Sequence, residues 1–244
     1  MFAKQVQTHR LHALRHIGAG QCIGILGIAL GLTGLTACAP LQTASVSPAI
    51  TSAPSASATL ALLATIPVKG RAPATGYSSS GDFWGFWATP TGVATKCDTR
   101  NWILARDMSG ITYKNVSPKG CVVQTGTLVD PYTGTTIDFV RASCPDHDGC
   151  VQIDHVVARM DAWETGADTW TAAQRKTFAN DPLELLAVSS TANQQKGDGD
   201  AATWLPDKSF RCEYVSIQTQ VKAKYGLWMT QAEHNTIQQI LRGC

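Results

Sequence analysis

Apolar and polar positions divide the chain into three stretches that differ in pattern. Residues 17–36 form an uncharged apolar run, and residues 39–63 are rich in Ala, Ser, Thr and Pro with no aromatic or charged side chain. A composition of this kind does not bury enough surface to fold, so residues 39–63 are predicted to be a flexible tether. The periodic patterns of strands and helices begin near residue 64, which predicts one folded domain over residues 64–244.

Within that domain the pattern predicts both strands and helices. Three β-branched runs, ITYKNV, GCVVQTGTLV and TTIDFV, are separated by turn signals and predict hairpins between residues 111 and 140. Two further apolar runs, residues 151–153 and 183–188, predict two more strands. Helical spacing predicts helices near residues 157–163, 172–178 and 190–196, and two more between residues 214 and 241. The mixture predicts an α+β fold.

The first 38 residues have the organisation of an export signal. Lys4, Arg10 and Arg15 precede the apolar run, which closes on LTAC at residues 35–38. That ending resembles the lipobox of bacterial lipoproteins, whose cysteine is lipidated and becomes the first residue after cleavage. The resemblance implies that Cys38 is lipidated and that the protein is exported and anchored to the outer face of a bacterial cell membrane. An uncleaved membrane anchor is the alternative, because the apolar run is just long enough to span a bilayer.

Cysteine usage agrees with export. Beyond the predicted leader the chain has an even number of cysteines, which in an exported domain predicts disulfides. We expect nearest neighbours to pair, as Cys97–Cys121, Cys144–Cys150 and Cys212–Cys244. Zinc binding is the less favoured alternative, because the sequence has no CxxC pair. The acidic and histidine residues at 146–148 are interpreted as part of a disulfide loop rather than as a metal site.

Charge limits how the folded domain could bind a polyanion. Without the leader, 17 basic residues face 18 acidic ones, so the domain is nearly neutral. Nucleic-acid binding would therefore depend on a local basic patch. Residues 77–87 (YSSSGDFWGFW) concentrate aromatic residues among glycines. A loop that lines the core is the favoured interpretation, and exposed rings that stack on bases are the alternative.

The side chains that suit catalysis or metal binding are concentrated in residues 152–198. An adjacent Asp154-His155 pair ends one predicted strand, and Asn193 lies in the helix predicted after the next. A neutral imidazole suits a general base near neutral pH, and carboxylate and amide oxygens suit a magnesium-like ion. Neighbouring residues on a strand point to opposite faces, so the pair shares a cleft only if the strand ends there. An Asp-His pair by itself is more often structural, because buried polar groups usually find partners.

An ordered set of motifs resembles the HNH endonucleases, also called His-Me finger or ββα-metal endonucleases. The set comprises IDHVV at residues 153–157, NDPL at residues 180–183 and NQQKGD at residues 193–198. The chain is most similar to exported bacterial HNH proteins related to the C-terminal domain of the GmrSD restriction endonucleases. The similarity extends over about residues 71–244 and includes CDTRN at 97–101, DPYTG at 130–134 and WLP at 204–206.

The resemblance implies a fold, a reaction and a set of partners. The fold would be a ββα-metal finger embedded in a disulfide-stapled α+β single domain. The reaction would be metal-dependent hydrolysis of phosphodiester bonds in DNA, or in RNA, with little sequence specificity. Mg²⁺ is the expected ion, with Mn²⁺ or Ca²⁺ as alternatives. The partners would be nucleic acid and, through the lipid anchor, the membrane, and we expect a monomer. A non-catalytic surface module that keeps the finger as a scaffold is the alternative.

The resemblance also implies roles for individual residues. His155 would be the general base, and Asp154 and Asn193 would be the metal ligands. Lys196 and Arg100 would bind the substrate. Lys196 lies one helical turn after Asn193, and Arg100 lies within the CDTRN motif.

Glu184 is a departure from the family pattern. HNH proteins often have an asparagine at this position, which orients the catalytic histidine. The resemblance assigns Glu184 a catalytic role, in which it would accept a hydrogen bond from His155, and Asn180 or Asp181 could take that role instead. A carboxylate beside His155 would raise the pKa of the imidazole.

Overall fold

The computed structural model describes residues 54–114, 120–141 and 151–244, which form a mixed helix and sheet fold. The described strands are β1 (Ser109–Tyr113), β2 (Val123–Val129), β3 (Thr136–Val140), β4 (Val151–His155) and β5 (Leu185–Ser189). The described helices are α1 (Ala56–Leu63), α2 (Gly81–Trp84), α3 (Thr99–Asp107), α4 (Arg159–Glu164), α5 (Ala172–Ala179), α6 (Ser190–Lys196), α7 (Arg211–Tyr225) and α8 (Gln231–Arg242). Short 3-10 turns occupy Ala167–Thr169 and Lys208–Phe210.

Strands β1, β2 and β3 form an antiparallel sheet in that order. The turn between β2 and β3 is closed by Asp130, whose carboxylate accepts a hydrogen bond from the Tyr132 N–H and whose carbonyl accepts one from the Gly134 N–H. Gly134 adopts φ +71°, a left-handed conformation that glycine tolerates best. These strands are the hairpins that the β-branched runs predict.

Strands β4 and β5 form a separate antiparallel pair, with Asp154 opposite Leu186 and His155 opposite Leu185. Helix α6 begins directly after β5 and packs on both strands. The Ser189 hydroxyl caps α6 by accepting a hydrogen bond from the Ala192 N–H, which satisfies one free donor of the first turn. Helices α4 and α5 separate the two strands in the chain, and the packing of α6 across both strands places its last residue beside the end of β4.

Three apolar clusters hold these elements together. One cluster joins α3 to both sheets, through Ile103, Leu104, Val123, Leu128, Phe139, Val151, Leu185 and Ala187. A second joins α1, α7 and α8 to β5, through Leu63, Val188, Val215, Ile237 and Leu241. A third joins α2, α4 and α5 to α7, through Trp84, Ala162, Phe178 and Val221. The β4–β5 pair lies between these clusters, so the ends of its strands are rigidly supported.

Helix α1 corrects the predicted end of the tether, because residues 56–63 are folded. Leu63 and Thr59 are each 1% exposed, and α1 packs on α7 and α8. The Thr59 and Ser216 hydroxyls are hydrogen-bonded at 3.1 Å. Composition predicted a tether because this segment cannot fold alone, but a helix can bury a narrow apolar face on an existing pair of helices.

Two of the expected disulfides are present in the described residues. Cys97–Cys121 connects the start of α3 to the segment before β2, and Cys212–Cys244 connects the first turn of α7 to the C-terminal residue. The expected Cys144–Cys150 pair lies outside the described residues, as do the predicted leader and Cys38. Among the described helices, none combines the length and the apolar character needed to cross a bilayer.

Candidate functional site

Two adjacent clefts meet at the end of β4. The first, which we call the polar cleft, has a volume of about 260 Å³ and is lined by Asp154, His155, Arg159, Asn193 and Asp198 among others. The second, the aromatic cleft, also has a volume of about 260 Å³ and is lined by Trp84, Phe86, Trp87, His155 and Arg159 among others. His155 and Arg159 line both clefts. The structure therefore brings together the predicted base and both predicted metal ligands.

The imidazole of His155 is held in one orientation. Its ring is stacked between Trp87 and Phe178, at centroid distances of 5.9 and 6.3 Å. Its Nε2 lies 3.3 Å from the carbonyl oxygen of Ala179. A carbonyl can only accept, so Nε2 carries the proton and Nδ1 presents a lone pair. Burial lowers the pKa of His155 to about 3, with a further contribution from the positive charge of Arg159, so the ring is neutral near pH 7.

The carboxylate of Asp154 is buried, and each of its oxygens accepts one hydrogen bond. Oδ1 accepts a hydrogen bond from Lys196 Nζ at 3.0 Å, and Oδ2 accepts one from the Tyr132 hydroxyl at 2.5 Å. Lys196 also donates to the carbonyl of His155 at 2.8 Å. Burial raises the pKa of Asp154, while Lys196 and Tyr132 oppose that rise. The aspartate is thus fixed in position and its charge is compensated.

The resemblance implies that Lys196 binds phosphate, but in the structure Lys196 binds Asp154 and the His155 carbonyl. Its side chain is completely buried, and its ammonium is the positive partner of Asp154. Buried charges of this kind are stable only when they are paired and hydrogen-bonded. Lys196 therefore acts within the protein, as a support for the end of β4.

Asn193 projects from α6 into the polar cleft. Its Nδ2 donates to Gln152 Oε1 at 2.9 Å, which orients the amide. Within the described part of the chain its Oδ1 accepts no hydrogen bond, so that oxygen is available to a ligand in the cleft. The exposed Asp198 lines the same cleft and adds a second carboxylate. Oxygen donors of these types suit Mg²⁺, which keeps several waters and takes few protein ligands. The residues present therefore fit a divalent ion.

A second acidic group, Asp161, Asp200 and Glu233, also has the spacing of a metal site, with one ligand atom from each lying within 4.8 Å of the others. Two basic side chains already form ion pairs with these carboxylates. Lys222 Nζ lies 2.8 Å from Asp161 and 2.7 Å from Glu233. Arg71 contacts Asp161 and Asp200 at 3.0 and 2.7 Å. Each of the three carboxylates thus has a basic partner, so the group is an ion-pair network that joins α4, α7 and α8.

Glu184 does not contact the imidazole, contrary to expectation. It is completely buried, and both of its carboxylate oxygens lie 3.2 Å from the N–H of Val157, which donates to them. Burial raises the pKa of Glu184 well above its usual range. The expected rise in the pKa of His155 is also absent, because desolvation of the ring and the charge of Arg159 act in the opposite direction. The Ala179 carbonyl takes the orienting position instead.

The two alternatives for that orienting position have other partners as well. Asn180 Oδ1 accepts hydrogen bonds from the Ala88 N–H and the Thr99 hydroxyl, at 2.8 and 2.7 Å. Asp181 Oδ2 accepts from Lys224 and Tyr225. Both side chains therefore stabilise the framework that surrounds the site.

Arg159 is a site residue that the sequence analysis missed. It is the first residue of α4, four positions after His155, and it lines both clefts. Among the described residues its guanidinium has no hydrogen-bond or ion-pair partner, so it can bind an anion. Its position just after the IDHVV motif was the available signal, but a single arginine at the start of a helix is common.

Arg100, the other predicted substrate contact, lies on α3, and the residues that line the two clefts do not include it. Burial and the neighbouring charge of Arg141 lower its pKa, and Asp98 opposes this. The structure therefore does not bring Arg100 together with His155.

The site has a chemical capacity, and sequence comparison identifies the family. A neutral, oriented imidazole beside oxygen donors and a guanidinium can accept a proton, hold a metal ion and bind an anion. Residues 98–240 match the family of the C-terminal domain of GmrSD restriction endonucleases. The match includes α3, both sheets, most of α8 and the site residues Asp154, His155, Arg159 and Asn193, while the cleft residues before position 98 lie outside it. The chain belongs to this family, which indicates a nuclease-like function and therefore nucleic-acid binding.

A relative supports export. The chain is 36% identical over 217 residues to a protein of Arthroderma benhamiae named "Uncharacterized secreted protein", and the match covers 87% of this chain and 98% of the relative. Disulfides in the present structure agree with an exported protein. The relative is fungal, so the bacterial origin that the resemblance implied has no support from it. No solved structure matches the chain.

Proposed function

We propose that the protein is a metal-dependent endonuclease of the HNH type that hydrolyses phosphodiester bonds in DNA, with RNA as the second candidate substrate. The observation that carries this proposal is the position of His155. In a member of a restriction-endonuclease family, a neutral imidazole with a free Nδ1 shares one cleft with Asp154 and Asn193.

His155 acts as the general base in this proposal. Nδ1 accepts a proton from the attacking water, while the bond from Nε2–H to the Ala179 carbonyl keeps the ring in place. The imidazolium that forms is stabilised by the negative charge of the bound phosphate. Arg159 binds a non-bridging phosphate oxygen, because it lines the cleft and its guanidinium has no partner in the part of the chain that the structure describes. General-base catalysis by a positioned side chain contributes typically about 10²–10⁴-fold to the rate.

Asp154 and Asn193 are the proposed metal ligands, within a ββα-metal finger made of β4, β5 and α6. A bound divalent ion, with Mg²⁺ preferred and Mn²⁺ or Ca²⁺ as alternatives, would stabilise negative charge on the leaving oxygen. Tyr132 and Lys196 hold the Asp154 carboxylate at the edge of the cleft. Arg159 binds phosphate without reading bases, so we expect little sequence specificity and binding that weakens with salt.

One observation favours a second candidate, a non-catalytic surface module that keeps the finger as a scaffold. Asp154 already has a positive partner in Lys196, with the ammonium 3.0 Å from Oδ1. An ammonium on the same carboxylate repels a dication and weakens its binding. In this candidate the Asp154–Lys196 pair is purely structural, and the cleft binds nucleic acid without cleaving it.

A nucleic-acid cleavage assay separates the two candidates. Purified protein is incubated with supercoiled plasmid, single-stranded DNA or RNA, each with Mg²⁺, Mn²⁺ or Ca²⁺, and with EDTA as a control. The endonuclease should nick DNA with a divalent ion, and His155→Gln should lose at least about 10²-fold of the rate while keeping DNA binding. His234→Gln, a matched change on α8, should cleave like the wild type. If the wild type leaves DNA and RNA intact with every ion, the proposal is wrong.

We further propose that the protein is a monomeric exported lipoprotein, with residues 1–38 as the signal peptide and Cys38 as the lipidated residue. Several acyl chains would anchor it stably, where a single chain binds only marginally. Expression in a bacterial host with radiolabelled palmitate tests this part. Cys38→Ala should abolish labelling, Cys22→Ala should not, and an unlabelled wild type would refute the anchor.

A further inference from the structure

A short loop presents two aromatic side chains at the mouth of the aromatic cleft. Phe86 is 65% exposed and Trp87 is 38% exposed. Both line the cleft that His155 and Arg159 also line. The Trp87 ring is nearly parallel to the imidazole, at an interplanar angle of 11°. Two exposed rings therefore lie directly beside the proposed catalytic base.

The loop is built to hold this conformation. Phe86 has φ +45°, which is unfavourable for a bulky residue and persists only where neighbouring structure enforces it. Asn180 stabilises this backbone conformation with two hydrogen bonds. Its Nδ2 donates to the Phe86 carbonyl at 3.0 Å, and its Oδ1 accepts from the Ala88 N–H at 2.8 Å. A side chain at Gly81 would lie 2.4 Å from the Phe86 ring, so only glycine lets the ring lie where it does.

Core packing accounts for the nearby Trp84 but not for Phe86. Trp84 is 1% exposed and packs on Phe178, as a core-lining residue should. Phe86 is mostly exposed, which forfeits the free energy that burying its ring would contribute. Backbone strain and exposure at the same residue, beside a candidate catalytic base, indicate a binding role.

We propose that Phe86 and Trp87 form a stacking platform for unpaired nucleobases, so that the preferred substrate is single-stranded nucleic acid. The proposal rests on the nuclease function and specifies its substrate class. Flat apolar rings stack on the face of any base, and in a duplex those faces are already covered by neighbouring bases. A strand whose base stacks on this platform would run its phosphates past Arg159 and His155. The platform would thus contact the base of a nucleotide, and the Arg159 guanidinium would contact its phosphate.

Fluorescence anisotropy with the full-length protein tests the platform independently of cleavage. The probe is a fluorescein-labelled 12-mer of deoxythymidine, compared with a duplex of the same length, in EDTA so that no cleavage occurs. The wild type should bind the single strand more tightly than the duplex. Phe86→Leu, which keeps apolar volume but removes the ring, should weaken single-strand binding by about 5- to 150-fold. Trp87→Leu should act in the same direction.

Matched variants keep the result interpretable. Phe86→Tyr and Trp87→Phe retain a ring and should retain single-strand binding. Tyr113→Leu removes an exposed ring from β1, away from the clefts, and should bind like the wild type. Circular dichroism of each variant checks folding, and the ring-retaining pair identifies any loss that comes from the loop conformation alone.

The outcomes separate this inference from the nuclease function. Equal binding of single strand and duplex by the wild type, or unchanged binding by Phe86→Leu and Trp87→Leu, would overturn the platform even if plasmid DNA is cleaved. Ring-dependent binding of the single strand would support the platform even if no nucleic acid is cleaved. In that last case the nuclease proposal fails and the protein is a single-strand binder.

Discussion

At the scale of single residues, the site depends on how each polar group is paired. The ring of His155 has one nitrogen bound to a backbone carbonyl, and the other has no hydrogen-bond partner among residues 54–114, 120–141 and 151–244. Asp154 is bound on both oxygens, by Lys196 and Tyr132. Arg159 faces the clefts without a partner among the described residues. Groups left unsatisfied can act on a ligand directly, whereas Asp154 would bind a metal ion only by sharing its carboxylate with Lys196 and Tyr132.

The low pKa of His155 predicts the acid side of the pH–rate profile. A general base is lost as the pH falls through its pKa, because the protonated ring has no lone pair to accept a proton. The shift from 6.5 to about 3 therefore moves that loss to more acidic pH. We expect the half-maximal pH on the acid side of the profile for cleavage of nucleic acid to lie below 6.5. A half-maximal pH above 6.5 would contradict the conclusion that burial of the ring controls the pKa of His155.

Glu184 is predicted to support the backbone rather than the base. Glu184→Gln should keep near wild-type stability and cleavage, because an amide oxygen can still accept from the Val157 N–H. Glu184→Leu should lower the free energy of unfolding by about 1–3 kcal/mol, because that buried N–H loses its partner. Denaturant unfolding and plasmid cleavage measure the two effects. Loss of cleavage in Glu184→Gln at unchanged stability would show that the carboxylate acts on His155.

At the scale of elements, two strands and one helix create the cleft. The antiparallel register pairs the end of β4 with the start of β5, and α6 packs across both strands so that its last residue, Lys196, contacts the end of β4. Asp154 and His155 are neighbours on a strand, and they share the polar cleft because His155 is the last residue of that strand. Helix α6 then supplies Asn193 to the same cleft. The position of strand ends, rather than the Asp-His sequence itself, makes the site possible.

Helix α1 is predicted to be an integral part of the folded domain. Leu63→Ala should destabilise the protein by about 2–5 kcal/mol, because it leaves a cavity where α1 meets α7 and α8. Leu62→Ala, at the neighbouring partly exposed position, is the control and should cost much less. Thermal or urea unfolding gives both values. If both changes had equal and small effects, residues 56–63 would belong to the tether and not to the folded domain.

At the scale of the whole molecule, a buried ion network and two disulfides connect distant segments. Arg71 and Lys222 together bind the carboxylates of Asp161, Asp200 and Glu233, which come from three separate parts of the chain. The Cys212–Cys244 bond fastens the C-terminal residue to α7. These connections hold the helices that support the β4–β5 pair.

Removing the lysine of that network should be costly. Lys222→Met leaves Asp161 and Glu233 buried without their ammonium partner, and breaking a buried pair from one side costs about 3–5 kcal/mol. Lys208→Met, an exposed lysine elsewhere, should change the free energy of unfolding little. Denaturant unfolding of both variants checks this. A Lys222→Met protein as stable as the wild type would mean that the network adds no net stability.

Several features of the fold follow from the sequence because they depend on local pattern. The apolar runs at 151–153 and 183–188 correspond to β4 and β5, and the polar segment at 190–196 is α6. Nearest-neighbour pairing anticipates both disulfides of the described residues. The partner of the imidazole could not be predicted, because a backbone carbonyl 24 residues away has no signature in sequence. Nor could pattern distinguish the buried Trp84 from the exposed Phe86 two positions later.

The sequence by itself determined the strands, the helices from α4 onward, the family and the candidate site residues, because periodicity and motifs depend on residues close together in the chain. Tertiary structure alone decided which of those residues meet and in which chemical state. The neutral ring of His155, the internal role of Lys196, the backbone role of Glu184 and the free guanidinium of Arg159 all depend on burial. Burial is produced jointly by segments far apart in the chain, so no single stretch contains it.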